Sequence, residues 1–256
     1  MTLQLRTLVV NMENMMKIKR VIRLCIGICL ILMIGFGGYY VSDYYEAESV
    51  AVSALISDND VTISKLDNDY YVFEPSQATK GLIFYPGGKV SYSAYAPLLR
   101  ELANKGILCI LVEMPFNLAV LDMNAANGIS ELYPNIDDWY IGGHSLGGAI
   151  AASYVSNHIE EFEGLLLLAS YSTSDIHDSD INVVSIYGSN DEILDMGRYE
   201  EAKVNLPKTT FEMVIDGGCH SYFGNYGMQE GDGTPTITRE TQFATTIEYS
   251  LEYLFN

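Results

Sequence analysis

Basic residues are scarce in this chain. Fourteen Lys and Arg stand against 33 Asp and Glu in 256 residues, a formal net charge of −19. The shortage deepens along the sequence. Residues 1–41 hold five basic residues and one acidic, net +4, so the rest of the chain carries 9 basic and 32 acidic residues, net −23. A surface of that sign repels phosphate backbones and anionic headgroups, and no nucleic-acid partner is expected. Cysteine is sparse as well. Cys25 and Cys29 lie in one apolar run, Cys109 in another and Cys219 beside a histidine. No CxxC pair or histidine cluster has zinc-ligand spacing, which excludes a metal-stapled or disulfide-framework scaffold. A Cys109–Cys219 bridge is permitted outside the cell, but no pattern calls for it. Internal repeats and low-complexity tracts are missing too, which excludes solenoids and arrays.

Long uncharged runs are few, and one stands out. Lys17, Lys19, Arg20 and Arg23 precede "LCIGICLILMIGFGGYYV", Leu24 to Val41. These 18 residues span about 27 Å as a helix, close to a bilayer core. The basic flank places the N-terminus in the cytoplasm and exports the chain beyond the apolar run. Small residues of a cleavage site, "VSA" at Val52 to Ala54, come too late after the apolar core, so an uncleaved signal-anchor is expected. The expected organisation is a cytoplasmic segment over 1–23, a transmembrane anchor over 24–41, a linker over 42–60 and one catalytic domain over 61–256.

Beyond the linker, short apolar runs alternate with helical patterns. "VTISKL" and "YYVFEP" around "DND" predict a hairpin, and "GLIFYP" predicts a strand. "AYAPLLRELANKG" has helical spacing and stops at Gly106, and "LAVLDMNAANGI" (118–129) reads as a helix. "ILCILVEMP", "DWYIGG", "EGLLLLASYS", "INVVSIYGS" and "TTFEMVID" read as strands. "LGGAIAASYVSNH", "GRYEEAKVNL" and "ETQFATTIEYSLEYLF" read as helices. Fully apolar strands alternating with helices predict an α/β fold, a mostly parallel sheet covered on both faces. In such sheets the chemistry sits where strands end.

Three chemically apt residues fall at such ends. Gly143-His144-Ser145-Leu146-Gly147 fits G-x-S-x-G between an apolar strand and an alanine-rich helix. Glycines are needed there because a tight strand-to-helix turn strains the serine backbone and leaves no room for flanking side chains. A serine hydroxyl needs a base. His220 follows the last strand in "VIDGGCHSYFG". His144 lies inside the elbow and cannot easily curve back, His158 ends a helix, and His177 sits in an acidic loop. The imidazole needs an orienting carboxylate. Asp191 in "YGSNDEIL" is the first after its strand, with Glu192 and Asp195 as runners-up. For the oxyanion, the N–H of Leu146 is one donor and that of Gly88, in the Pro-Gly-Gly turn, is the other, with Lys89 second to Gly88. Tyr222, Phe223, Tyr226 and Met228 belong to a Gly-rich loop after His220, expected to cover the site. With Lys89, three of them (Tyr222, Phe223 and Tyr226) are candidates for lining a substrate pocket, although packing of the loop onto the sheet explains them equally well.

The segment from about Tyr70 to the end resembles the α/β-hydrolases, in particular the bacterial "α/β hydrolase fold-5" and dienelactone-hydrolase-like proteins. The resemblance rests on "IFYPGGKVSYSAYAPLLRELANKGILCILVEMPFNLAVL", "GGHSLGGAIAA", "IYGSNDEIL" and "GGCHSYFGNYGMQEGDG". It implies Ser145, Asp191 and His220 as a triad acting on a small acyl substrate without a cofactor. Dienelactone hydrolases use a cysteine nucleophile, so their lactone substrate does not carry over to a serine. No large lid insertion interrupts the domain, which argues against a lipase. A peptidase of the same fold and a non-catalytic binding or sensor protein are the competing readings; the latter sits poorly with three competent triad positions. Oligomeric state leaves no mark in the sequence.

Overall fold

An apolar strand buried on both faces must alternate its side chains between two cores. The computed structural model describes residues 3–66 and 70–256, and side chains other than those of residues 3–14, 34 and 36. Two compact units divide the chain, 1–43 and 44–256.

The first unit is one helix, α1 (Leu3–Ser42). Its stretch Met15–Ser42 has 28 residues and contains an 18-residue window with a mean hydropathy of 2.3, none of it buried. At 1.5 Å per residue that is about 42 Å, more than a bilayer core of about 30 Å. By length and composition it is a candidate membrane span, longer than the run 24–41 read from the sequence.

The second unit holds an eight-stranded sheet of β1 (Val61–Leu66), β2 (Tyr70–Pro75), β3 (Lys80–Tyr85), β4 (Ile107–Val112), β5 (Asp138–His144), β6 (Gly164–Leu168), β7 (Asn182–Gly188) and β8 (Thr210–Ile215). The order is β1-β2-β4-β3-β5-β6-β7-β8. β2 runs antiparallel to both β1 and β4, and every pairing from β4-β3 to β7-β8 is parallel. Leu82, Phe84, Leu166 and Leu168 face one core, whereas Ile83, Tyr85, Leu165 and Leu167 face the other. The period-two alternation of a strand produces this division. Helices α3 (Ala96–Asn104) and α6 (Arg239–Tyr253) cover the first face with Leu98, Leu99, Leu102, Phe243 and Ile247. Helix α4 (Leu146–Val155) covers the second with Ile150, Ala151, Ala152 and Val155. The expected mostly parallel, doubly covered sheet is the one observed.

Two expectations need correction. Residues 118–129 are not a helix but a series of tight turns. Phe116 and Asn117 just before them have φ of 54° and 55°, and Gly128 has φ of 73°. Tyrosine hydroxyls from the sheet replace helical partners: Tyr70 and Tyr85 donate to the carbonyls of Ala125 and Met123, and Ala126 N–H donates to Tyr85. The stretch 42–60 is not a free linker either. From Tyr44 onward it belongs to the domain. Tyr45 bridges to Val90, Glu48 N–H donates to the Asn225 carbonyl, and α2 (Ser49–Ser53) buries Ala51. Its polarity reads as linker, because Ala51 is its one buried residue and its other ties run through backbone groups and polar side chains, among them Glu48 to Arg239 and Asp58 to Arg100. The strands β1 and β2 pair as a hairpin would, while the turn expected at "DND" (67–69) lies outside the described residues.

Candidate active site

Ser145 joins β5 to α4 with φ 52° and ψ −123°, a region that costs a non-glycine residue about 1–3 kcal/mol. Its surroundings enforce that backbone. Ser145 N–H donates to the Leu168 carbonyl at 2.9 Å, and its own carbonyl accepts from Ser170 Oγ at 2.7 Å. A Cβ on Gly147 would lie 2.2 Å from the Tyr85 carbonyl oxygen, and one on Gly143 would lie 2.5 Å from the same atom. The need for glycine on both sides of the serine thus has a physical cause: β3 passes directly behind the turn.

β7 and β8 are parallel neighbours, so their carboxyl ends deliver Asp191 and His220 side by side. Nδ1 of His220 lies 2.9 Å from Asp191 Oδ2, and the two side chains are only 2% and 1% exposed. The other carboxylate oxygen, Oδ1, accepts from Ile193 N–H at 2.9 Å and Leu194 N–H at 2.8 Å. A carboxylate only accepts, so the imidazole presents N–H at Nδ1. Nε2 of His220 is buried and has no hydrogen-bond partner among the described residues. Of the runners-up, Glu192 is exposed and Asp195 caps helix α5 (Met196–Ala202), accepting from Arg198 N–H.

The loop after His220 is latched by Asp232. Its carboxylate accepts from Ser221 N–H at 2.8 Å, Ser221 Oγ at 2.6 Å and His220 N–H at 3.3 Å. Burial pushes this carboxyl upward, but the Ser221 and His220 hydrogen bonds outweigh it and leave it below the ordinary range. Asn190 Nδ2 adds a bond to the Thr234 carbonyl. Nothing in the sequence pattern distinguished Asp232 from the other carboxylates. Cys219, next to His220, is no rival nucleophile: burial foremost, then Asp232, pushes its thiol up to about 12. Cys109 and Cys219 are both free and buried.

In the Pro-Gly-Gly turn, Gly87 N–H donates to Tyr95 Oη at 3.1 Å and Lys89 N–H to the Asn117 carbonyl at 2.8 Å. Between them Gly88 N–H has no acceptor among the described residues. A Cβ on Gly88 would sit 2.9 Å from Leu146 Cδ2, so the turn and the first residue of α4 are in contact.

A cavity of about 190 Å³ is lined by Ser145, Leu146, Ala149, Ala169, Ser170, Tyr171, Ile193, Leu194, Asp195 and His220. The structure thus brings together Ser145, Leu146 and His220, and seals Asp191 behind the histidine. It does not bring Lys89, Tyr222, Phe223 or Tyr226 to this cavity. Phe223 and Tyr226 turn inward, 0% and 5% exposed, and join the core under α3. Tyr222 lies under the Arg239 guanidinium, 5.0 Å from ring centre to Cζ. Large aromatics in a loop covering a sheet gain more by burial than by facing a cleft. The wall instead comes from Ile193 and Leu194, just after Asp191, and from Ala169 to Tyr171, just after β6. Strand-end position was the available signal for both. A larger groove of about 1130 Å³, between α2, α3 and α6, contains none of the candidate site residues. Among the described residues no group of His, Cys, Asp and Glu has the arrangement of a metal site.

A family model described as "Alpha/beta hydrolase family" matches residues 81–244. No curated protein matches the chain. Among solved structures, the chain is similar to the predicted CIB-like hydrolase from Thermoplasma acidophilum, with 12% identity, a TM-score of 0.52, and 74% of this chain and 96% of that one covered. It is also similar to Est1E from Butyrivibrio proteoclasticus, with 13% identity, a TM-score of 0.55, and 77% and 100% covered. At these identities the two structures speak to the fold.

Proposed function

The chain belongs to the alpha/beta hydrolase family, and on that premise we propose that it is a membrane-anchored serine hydrolase, carboxylesterase-like, with Ser145, His220 and Asp191 as its triad. The observation that carries the reading is the buried Asp191–His220 pair, whose Nε2 has no partner and whose ring lines the same cavity as the strained Ser145. Among the described residues no hydrogen bond joins Ser145 Oγ to His220 Nε2; such contacts tighten when substrate is bound.

Ser145 Oγ attacks the acyl carbon while His220 Nε2 takes its proton. Asp191 holds Nδ1–H and steadies the imidazolium. The carbonyl oxygen, now an oxyanion, accepts from the N–H groups of Gly88 and Leu146. His220 then protonates the leaving group. Water, activated by the same histidine, releases the acyl-enzyme. A cavity of about 190 Å³ with Leu146, Ala149, Ala169, Ile193 and Leu194 in its wall is smaller than the ~300–1,000 Å³ typical of sites for drug-sized ligands, which favours short acyl groups.

The anchor is the apolar helix Met15–Ser42, kept as an uncleaved signal-anchor. Lys17, Lys19, Arg20 and Arg23 hold its leading end in the cytoplasm, and the acidic domain works outside. A fluorophosphonate probe and a series of p-nitrophenyl esters of rising chain length test the proposal. Wild type should label and should prefer short esters. Ser145→Ala should neither label nor turn over, its rate falling by several powers of ten. More than a few percent of activity in that variant rejects Ser145 as nucleophile.

A further inference from the structure

A second buried histidine stands against the first. His144 ends β5 directly before Ser145, is 1% exposed, and lies with its ring centre 4.4 Å from that of His220 at an interplanar angle of 50°. Its Nδ1 is 2.8 Å from the hydroxyl of Tyr95, which is 0% exposed and 49 residues away in sequence. The same hydroxyl accepts the Gly87 N–H. A Cβ on Gly87 would lie 2.6 Å from Tyr95 Oη and 2.8 Å from His144 Nδ1, so the three groups meet at one point.

Counting protons orders this cluster. Gly87 N–H can only donate, so Tyr95 Oη accepts from it and has one proton to give. The partner within reach is His144 Nδ1, which must therefore be the bare nitrogen, leaving the ring proton on Nε2. That Nε2 is buried without a hydrogen bond of good geometry, although the His220 carbonyl favours a proton on this ring. Burial, and then the neighbouring His220, hold His144 well below the ordinary histidine range, and burial raises the Tyr95 phenol. Both therefore stay uncharged while the adjacent imidazole cycles. His220 is the opposite tautomer, with its proton on Nδ1 facing Asp191.

We propose that Tyr95 and His144 are positioning residues that tie the oxyanion loop to the catalytic histidine. By holding Gly87 N–H, Tyr95 turns that peptide away from the site and leaves the next one, at Gly88, to face Leu146 and the oxyanion. By accepting from Tyr95, His144 fixes its ring as the wall against which His220 rests. Packing alone does not require the phenol and the imidazole here: leaving either unpaired would cost about 1–3 kcal/mol, and aliphatic side chains would fill the same space. The inference rests on the triad proposed above.

The test uses full-length protein in detergent with p-nitrophenyl butyrate. Tyr95→Phe keeps the ring and removes the tie. It should lower kcat by roughly 10- to 100-fold with KM within about twofold, since a displaced oxyanion donor acts on the transition state. His144→Asn offers an acceptor near the Nδ1 position and should retain several-fold more activity than His144→Leu. Unchanged kcat in Tyr95→Phe, or a loss confined to KM, overturns the inference. Ser145→Ala separates the two readings: if it is inactive while Tyr95→Phe is fully active, the triad stands and the tie falls; if it is active, the triad falls. Should Tyr95→Phe fail to fold, the tautomers of the wild type decide. Imidazole nitrogen NMR should find His144 protonated at Nε2 and bare at Nδ1, with His220 the reverse. A proton on Nδ1 of His144 overturns the proposal.

Discussion

Asp191→Asn puts the proposed triad to its hardest test, because the local hydrogen bonds dictate how the new amide must sit. Oδ1 of Asp191 receives two backbone N–H groups, from Ile193 and Leu194, at 2.9 and 2.8 Å. An amide NH2 facing those two donors would oppose hydrogen to hydrogen in a site 1% exposed. The asparagine oxygen therefore keeps that place, and the nitrogen takes the position of Oδ2, 2.9 Å from His220 Nδ1. There it donates, so Nδ1 must become the acceptor and the imidazole proton moves to Nε2. An Nε2 that carries a proton cannot take one from Ser145. The consequence is a loss in kcat of roughly 10³ to 10⁴, or about 4–5.5 kcal/mol of transition-state stabilisation. Both backbone bonds survive, so KM and the folded structure should change little. Steady-state kinetics with p-nitrophenyl butyrate measures the loss, and far-UV circular dichroism checks the fold. Glu192→Gln and Asp195→Asn serve as comparisons and should each cost less than about tenfold, since neither side chain reaches His220 in the hydrogen-bond network. A loss below tenfold in Asp191→Asn, or a larger one in Asp195→Asn, refutes the reasoning.

Gly147→Ala should destabilise the domain by about 3 kcal/mol or more or prevent its folding, because the methyl would meet the carbonyls of Tyr85 and Pro86 at 2.2 and 2.3 Å and neither backbone can retreat; a urea midpoint equal to wild type contradicts this. Removal of residues 1–43 should release a soluble, active domain, since the whole sheet and its covering helices lie within 44–256. In intact cells the full chain should fractionate with membranes and expose that domain to added protease, and protection until lysis would reverse the assigned orientation. Asp58 supplies a pH test. The Val61 N–H first, then Arg100, hold its carboxyl near 2, below its usual 3.8. A depressed folded-state pKa gives stability that is present above about 3.8 and lost as pH falls through about 2. Asp58→Asn should therefore lower the urea midpoint at pH 6 and lose that difference between pH 4 and pH 2; a difference independent of pH rejects the linkage.

Much of this protein is written locally. The apolar helix arises from one uncharged run. The parallel sheet arises from strands such as "GLLLL", which carry no polar face and so demand cover on both sides. The turn at Ser145 is legible from the glycines on either side of it, although the group that leaves no room for their side chains is the Tyr85 carbonyl of β3, some 60 residues away. Even the pairing of Asp191 with His220 could be anticipated, since both leave strand ends and parallel strands bring those ends together. Where local patterns mislead, a distant group intervenes. Residues 118–129 have helical spacing, yet the hydroxyls of Tyr70 and Tyr85 take up their backbone groups. Phe223 and Tyr226 sit in a polar loop, yet the core beneath α3 absorbs them and leaves the cavity wall to Ile193 and Leu194. The latch of Asp232 on Ser221 and the contact of Tyr95 with His144 belong to this second kind. A hydrogen bond between residues 49 positions apart depends on the fold having already closed the distance, and no periodicity or spacing in the chain records that closure.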